Sequence, residues 1–197
     1  MVRNFHTASA MLNGKTVPDY VSRRTGKPKK RFNWKGKKYR AVDECDGKYF
    51  ACNDGNVIRF SSSDKSLYAL GIASDGTSVR LCKGGIAEYH RLDVIIATAF
   101  CRKDKDCHFV EHLDGNIYNC NPKNLKWVKK NVLYRPADRP KVAFMRMGTL
   151  LDEYATPKDA VKALGMTVGD VINACNSRRV DANGCYLKWL CKNQYDY

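Results

Sequence analysis

Turn signals recur so closely along this chain that no segment between them can become a long helix or a wide sheet. Asn53-Asp54-Gly55-Asn56, Asp75-Gly76, Gly84-Gly85, Asp114-Gly115-Asn116 and Gly148-Thr149 each separate short runs rich in β-branched and aromatic residues. An Asp-Gly or Gly-Gly step supplies the positive φ that tight hairpins require. Such punctuation predicts several small antiparallel hairpins. The segment "KYFACNDGNVIRFSS" is the plainest case, and "LGIASDGTSVRLCKGGIAEYH" repeats the pattern.

Three segments break it. In "YHRLDVIIATAF" the period changes, and Leu92, Ile95, Ile96, Ala99 and Phe100 fall on one helical face. Further on, Thr156-Pro157-Lys158-Asp159 and Thr167-Val168-Gly169-Asp170 both read as capping boxes. They predict two helices, one ending near Leu164 before Gly165 and one running to about Ser177, with "GCYLKWL" as a closing strand. Two helices so closely joined make a helix-turn-helix. The expected fold class is therefore α+β: small antiparallel sheets, a hairpin with a helix, and a C-terminal hairpin with a helix pair. The expected divisions are a basic arm over 1–33, a sheet module over 34–88, a hairpin-and-helix centre over 89–134, a linker over 135–141 and a helical module over 142–197. The linker rests on "RPADRP", where two prolines prevent regular structure. The linear order suggests an extended molecule whose last module reaches out on that linker.

Charge narrows the class of partner. The chain carries 35 Lys and Arg against 20 Asp and Glu, a net +15 over 197 residues. Such an excess favours a polyanion, nucleic acid first. It is concentrated near the start, in Arg23, Arg24, Lys29, Lys30, Arg31, Lys35, Lys37 and Lys38, where Asp19 is the acidic residue within the first forty. Phe32, Trp34 and Tyr39 interleave with these cations, to pack on a core or stack on bases. No apolar run is long enough to span a bilayer, and the first residues lack a signal-peptide core, so no membrane is expected and the cytoplasm is the expected compartment. The nine cysteines contain no Cys-x-x-Cys pair, so reduced thiols are expected. Cys101, Cys107, His108 and Cys120 lie close in sequence, but their spacing fits no common zinc pattern.

The chemistry concentrates in "FVEHLDGNIYNCNPKNLKWV". Phosphodiester hydrolysis near neutral pH needs a base for the attacking water and a cation for the phosphate. His112 at a strand end can serve as the base, and Asn124 can bond across the loop to hold its two strands in register. Asp114 and Asn116 read as turn formers.

The block His112, Asp114, Gly115, Asn116, Asn119, Asn124, Leu125, Trp127 and Val128 resembles the HNH nucleases, in the branch found as phage and intron homing endonucleases. "YHRLDVIIATAF" is similar to the helix that precedes this block in the family, "KYFACNDGNVIRF" to an associated sheet module, and 142–190 to an associated helix-turn-helix. The resemblance covers about 34–190. It implies a metal-dependent endonuclease acting on double-stranded DNA, with His112 as general base, Asn124 as the structural central Asn, and one Mg²⁺ or Mn²⁺ site. Glu111 stands where the family has Asp or Asn before the His. The helix-borne ligand position falls on Leu133, and Asn131 is the nearest candidate. Asn173 and Asn176 on the last helix, with Arg178 and Arg179 just beyond it, are the expected DNA contacts of the C-terminal module. Two other readings remain: the same scaffold binding DNA with catalysis lost, and an RNA binder. Monomer and dimer are both open.

Overall fold

The computed structural model describes residues 20–22, 25, 27–43, 45, 47–130 and 140–190. It is α+β, built from small antiparallel sheets and three short helices. The first sheet is a meander of β1 (Arg31–Trp34), β2 (Lys37–Ala41), β3 (Tyr49–Cys52), β4 (Val57–Phe60) and β5 (Leu67–Ala69) in sequence order. Lys35 and Gly36, at φ 48° and 73°, form a two-residue turn whose twist suits a hairpin. All four residues of β3 are buried. Phe50 and Cys52 face an aromatic core with Phe32, Tyr39, Ile58 and Phe60, while Tyr49 and Ala51 face a second core on the other side. That double burial accounts for the unbroken apolar run "YFAC".

The second core is shared by β6 (Ser78–Lys83), α1 (Leu92–Phe100), β8 (Phe109–His112) and β9 (Leu125–Val128). A hairpin joins β6 to β7 (Ile86–Arg91), and β8 pairs only with β9 among the described residues. On α1, Leu92, Ile95 and Ile96 are buried as the periodicity predicts. Ala97 is buried as well, whereas Ala99 and Phe100 are half-buried. The helix is covered on two sides: Trp127 Nε1 of β9 donates to the Ala97 carbonyl at 3.3 Å, and Arg40 of β2 donates to the Ala99 carbonyl at 2.6 Å.

The last unit holds β10 (Lys141–Arg146), β11 (Thr149–Tyr154), α2 (Pro157–Leu164), α3 (Val168–Ser177) and β12 (Cys185–Leu190), with sheet order β11-β10-β12. Thr156 accepts from the Asp159 amide to cap α2, and Thr167 with Asp170 forms a complete capping box on α3. Gly165 ends α2 at φ 65°.

Several boundaries differ from the sequence reading. The sheet begins at Arg31 rather than 34, and Tyr20 and Val21 lie in its aromatic core, so the described part of the expected arm is integral to the sheet. The 34–88 segment divides into two sheets, because the strand ladder breaks after β5 and only an Ile72–Val79 bridge precedes β6. Lys141, assigned to the linker, opens β10, and the β10–β11 turn falls on Met147-Gly148. Positions 131–139, with Asn131 and most of the linker, lie outside the described residues.

The C-terminal unit also touches the rest of the chain directly. The Gly55 turn sits on the loop between β8 and β9, where a Cβ at Gly55 would lie 2.8 Å from the Cys120 carbonyl carbon and oxygen. A Cβ at Gly76 would lie 2.9 Å from the Tyr118 ring and 3.1 Å from Ile172 of α3. At the second of these contacts the Tyr118 ring and Ile172 are both buried. First sheet, loop and C-terminal unit therefore meet around residues 116–121.

Candidate active site

His112 closes β8 opposite Leu125. Side chains alternate along a strand. His112 thus shares a face with the core residue Val110 and is 3 % exposed. Burial pushes its pKa below the ordinary imidazole value, Asp93 and Asp114 oppose the shift, and Arg91 adds to it. The outcome is an imidazole that stays neutral near pH 7, with both ring nitrogens buried from solvent.

The loop that follows explains why so many amides cluster here. Asp114 Oδ1 accepts from the Asn116 amide at 2.8 Å, Asn116 Oδ1 from the Tyr118 amide at 3.0 Å, Asn119 Oδ1 from the Asn121 amide at 3.3 Å, and Asn121 Oδ1 from the Lys123 amide at 3.0 Å. Each side chain turns its own backbone two residues on, so the loop is a chain of Asx turns. Asn124, last residue of a short 3-10 turn (Pro122–Asn124), locks it. Its Nδ2 donates to Asp114 Oδ1 at 2.8 Å and to the Asn119 carbonyl at 2.9 Å, and its Oδ1 accepts from the Asp114 amide at 3.0 Å. Asn119 Nδ2 donates to the other Asp114 oxygen at 2.7 Å. Asp114 is the hub of the loop, and both its oxygens are committed.

The expected metal ligands are less well gathered. Glu111 is half-buried opposite Lys126 and, by alternation, points away from the face that carries His112. Among the described residues no three His, Cys, Asp or Glu side chains converge on one point. The imagined zinc group is not assembled: Cys101 Sγ instead lies 3.5 Å and 3.4 Å from the carbonyls of Pro122 and Leu125. Cys120 is buried, which pushes its thiol well above the ordinary range. Its backbone seats the Gly55 turn.

Asp93 was missed from sequence. It is 4 % exposed near the start of α1, with Arg91 donating Nε to Oδ1 at 3.1 Å and Nη2 to Oδ2 at 2.5 Å. A carboxylate in the apolar run "LDVIIA" was the available signal, since a buried charge needs a partner.

On the surface, Lys29, Lys30, Arg31, Lys35, Lys37 and Lys38 are exposed, while Arg23 and Arg24 lie outside the described residues. Lys35 Nζ sits 4.7 Å over the Trp34 ring, and Lys37 pairs with Asp54 at 2.5 Å. Phe32 and Tyr39 stack on each other in the core, 5.0 Å apart, which leaves the half-buried Trp34 as the aromatic nearest the cations. Asn173, Arg178 and Arg179 are exposed at α3. Asn176 is not free for a base edge: its amide donates to the Tyr118 carbonyl at 3.3 Å and accepts from Trp189 Nε1 at 2.7 Å. No described helix is long and apolar enough to cross a membrane.

No known family model matches the chain. It is 23 % identical over 163 residues to the DNA endonuclease I-HmuI of Bacillus phage SP01, an alignment that spans 73 % of this chain and 92 % of that protein. A solved structure described as DNA binding and cleavage by the HNH homing endonuclease I-HmuI matches 77 % of this chain and 97 % of its own, at 22 % identity and a TM-score of 0.37. The chain is thus similar, over most of both lengths, to a phage protein described as a DNA endonuclease.

Proposed function

We propose that the chain is a metal-dependent endonuclease that nicks or cuts double-stranded DNA. The observation that carries this reading is the β8–β9 hairpin: a neutral imidazole at its base, His112, and a loop locked by Asn124. A neutral imidazole can abstract a water proton; both its nitrogens are buried, so the loop must open to admit that water. The relative's description as a DNA endonuclease supports the same substrate. The exposed cations of the first sheet, with Arg178 and Arg179 just beyond α3, would neutralise phosphates, and Asn173 would face base edges.

Glu111 and Asn131 are the residues that would hold the ion. Both are oxygen donors, suited to Mg²⁺ or Mn²⁺, and Mg²⁺ keeps most of its waters when only one or two protein groups bind it. When bound, the ion would supply charge stabilisation to the phosphate and the leaving oxygen. Glu111 lies on the strand face away from His112, and this favours a second reading, a DNA-binding protein that has lost catalysis.

Supercoiled plasmid, carrying fragments of the source genome, is incubated with the protein in Mg²⁺, Mn²⁺ or EDTA, beside His112→Ala. Metal-dependent nicking that disappears in the variant supports the nuclease. Equal DNA binding by both proteins with no cutting in any metal moves the assignment to the second reading.

A further inference from the structure

Trp189 of β12 stacks on Tyr118 of the catalytic loop, with ring centroids 5.1 Å apart and planes 12° from parallel. The same indole donates to Asn176 Oδ1 at 2.7 Å, and Asn176 Nδ2 donates to the Tyr118 carbonyl at 3.3 Å. One residue from α3, one from β12 and one from the loop thus close a ring of contacts. Gly76 forms its floor, because the absence of a side chain there lets Tyr118 and Ile172 approach the same point. Stacking fixes separation and tilt, while the two hydrogen bonds fix rotation about the stack. The docking also brings cations together: Arg179 beyond α3 is near enough to Lys37 of β2 for their charges to act on each other.

We propose that Tyr118, Asn176 and Trp189 are positioning residues that hold α3 at a fixed distance and angle from His112. Where α3 settles on the duplex then determines which phosphodiester bond reaches the imidazole. The proposal rests on the nuclease reading. It assigns cleavage-site choice to a contact that touches no DNA, and it gives Asn176 a role other than base recognition. Without that contact the module would take many placements relative to His112, and the cuts would spread.

The test uses the full chain in three forms: a short Gly-Ser insertion between 135 and 139, the pair Asn176→Ala with Trp189→Phe, and both changes together. The pair removes the two hydrogen bonds and keeps an aromatic ring for the core. Losing two net hydrogen bonds shifts the docked-to-undocked ratio about tenfold to thirtyfold. Small-angle scattering of the DNA-free protein should show no expansion with the insertion alone and a larger radius of gyration with both changes. On end-labelled DNA, the insertion alone should leave the cut at the same nucleotide from the α3 footprint, and the combined form should spread the cuts while still binding. A shifted or spread cut, or an expanded protein, with the insertion alone overturns the proposal. So does an unchanged single cut with both changes. Absence of cutting in every form, the unaltered chain included, overturns the nuclease reading and the cleavage role with it, while scattering still reports whether the units dock.

Discussion

Replacing Asn124 with Ala should open the loop beside His112 without unfolding the molecule. The Asn124 amide makes three hydrogen bonds, one of them to the Asp114 carboxylate, and the residue is 9 % exposed. A net hydrogen bond contributes about 1 kcal/mol, and one to a charged group somewhat more. Asp114 is exposed and regains water when its partner is lost, so its bond belongs at the low end of that range. The sum is about 3 kcal/mol, or roughly a hundredfold in the opening equilibrium. Native-state hydrogen exchange reads this directly, because the Asp114 amide donates to Asn124 Oδ1. Its exchange should speed up by about that factor, while the Ile58 and Phe60 amides of the first sheet keep their rates. Asn124→Asp should be worse than Ala at pH 7, since it sets a second carboxylate against Asp114, and should recover part of the loss in acid as protonation restores a donor. Asp114 exchange within about twofold of the native rate in Asn124→Ala would refute the claim that this amide locks the loop.

Three further perturbations probe the rest of the assembly. Gly55→Ala places a Cβ 2.8 Å from the Cys120 backbone at φ 90° and should cost about 2 kcal/mol or more, whereas Gly84→Ala meets nothing within 4 Å and should cost only its left-handed strain, about 1 kcal/mol; urea melts compare the two. Burial raises the Asp54 carboxyl, but hydrogen bonds from Cys52 and Lys37 outweigh it and hold the group below its ordinary value. Asp54 therefore stabilises the fold above the ordinary carboxylate range, and that contribution fades as pH falls through the lower folded value, roughly below pH 4. Lys37→Met should flatten this acid limb in denaturation at stepped pH, and an unchanged limb would remove the pair from the account. Lys35→Ala with Lys38→Ala should reduce the slope of log affinity against log salt by about 0.9 per lost phosphate contact and leave sequence preference intact; a binding titration over a salt series tests it.

Much of the local structure was legible in the residues. Two-residue turns, threonine caps and a change from period two to a helical period gave the strands and helices to within a few residues, because each is dictated by backbone chemistry inside a short window. The loop from His112 to Asn124 was legible for the same reason: Asx turns and the cross-loop amide join residues no more than ten apart. Even the awkward placement of Glu111 follows from strand alternation, which puts it and His112 on opposite faces whatever surrounds them.

Contacts between distant segments were not legible. Nothing near Asn176 in sequence marks it as a partner of Tyr118, fifty-eight positions away, and its exposed helical setting suited a base contact equally well. Gly55 and Gly76 read as turn glycines, and both are, but the structure also uses their missing side chains to bring Cys120 and Tyr118 close. Asp93 is buried at the start of α1, within electrostatic range of His112 and Cys120 of the distant loop. The sequence by itself determined the elements, the caps and the folded loop, since hydrogen bonds and backbone sterics act over a few residues. The tertiary structure decided which elements lean on that loop, because burial and close approach depend on what arrives from elsewhere in the chain.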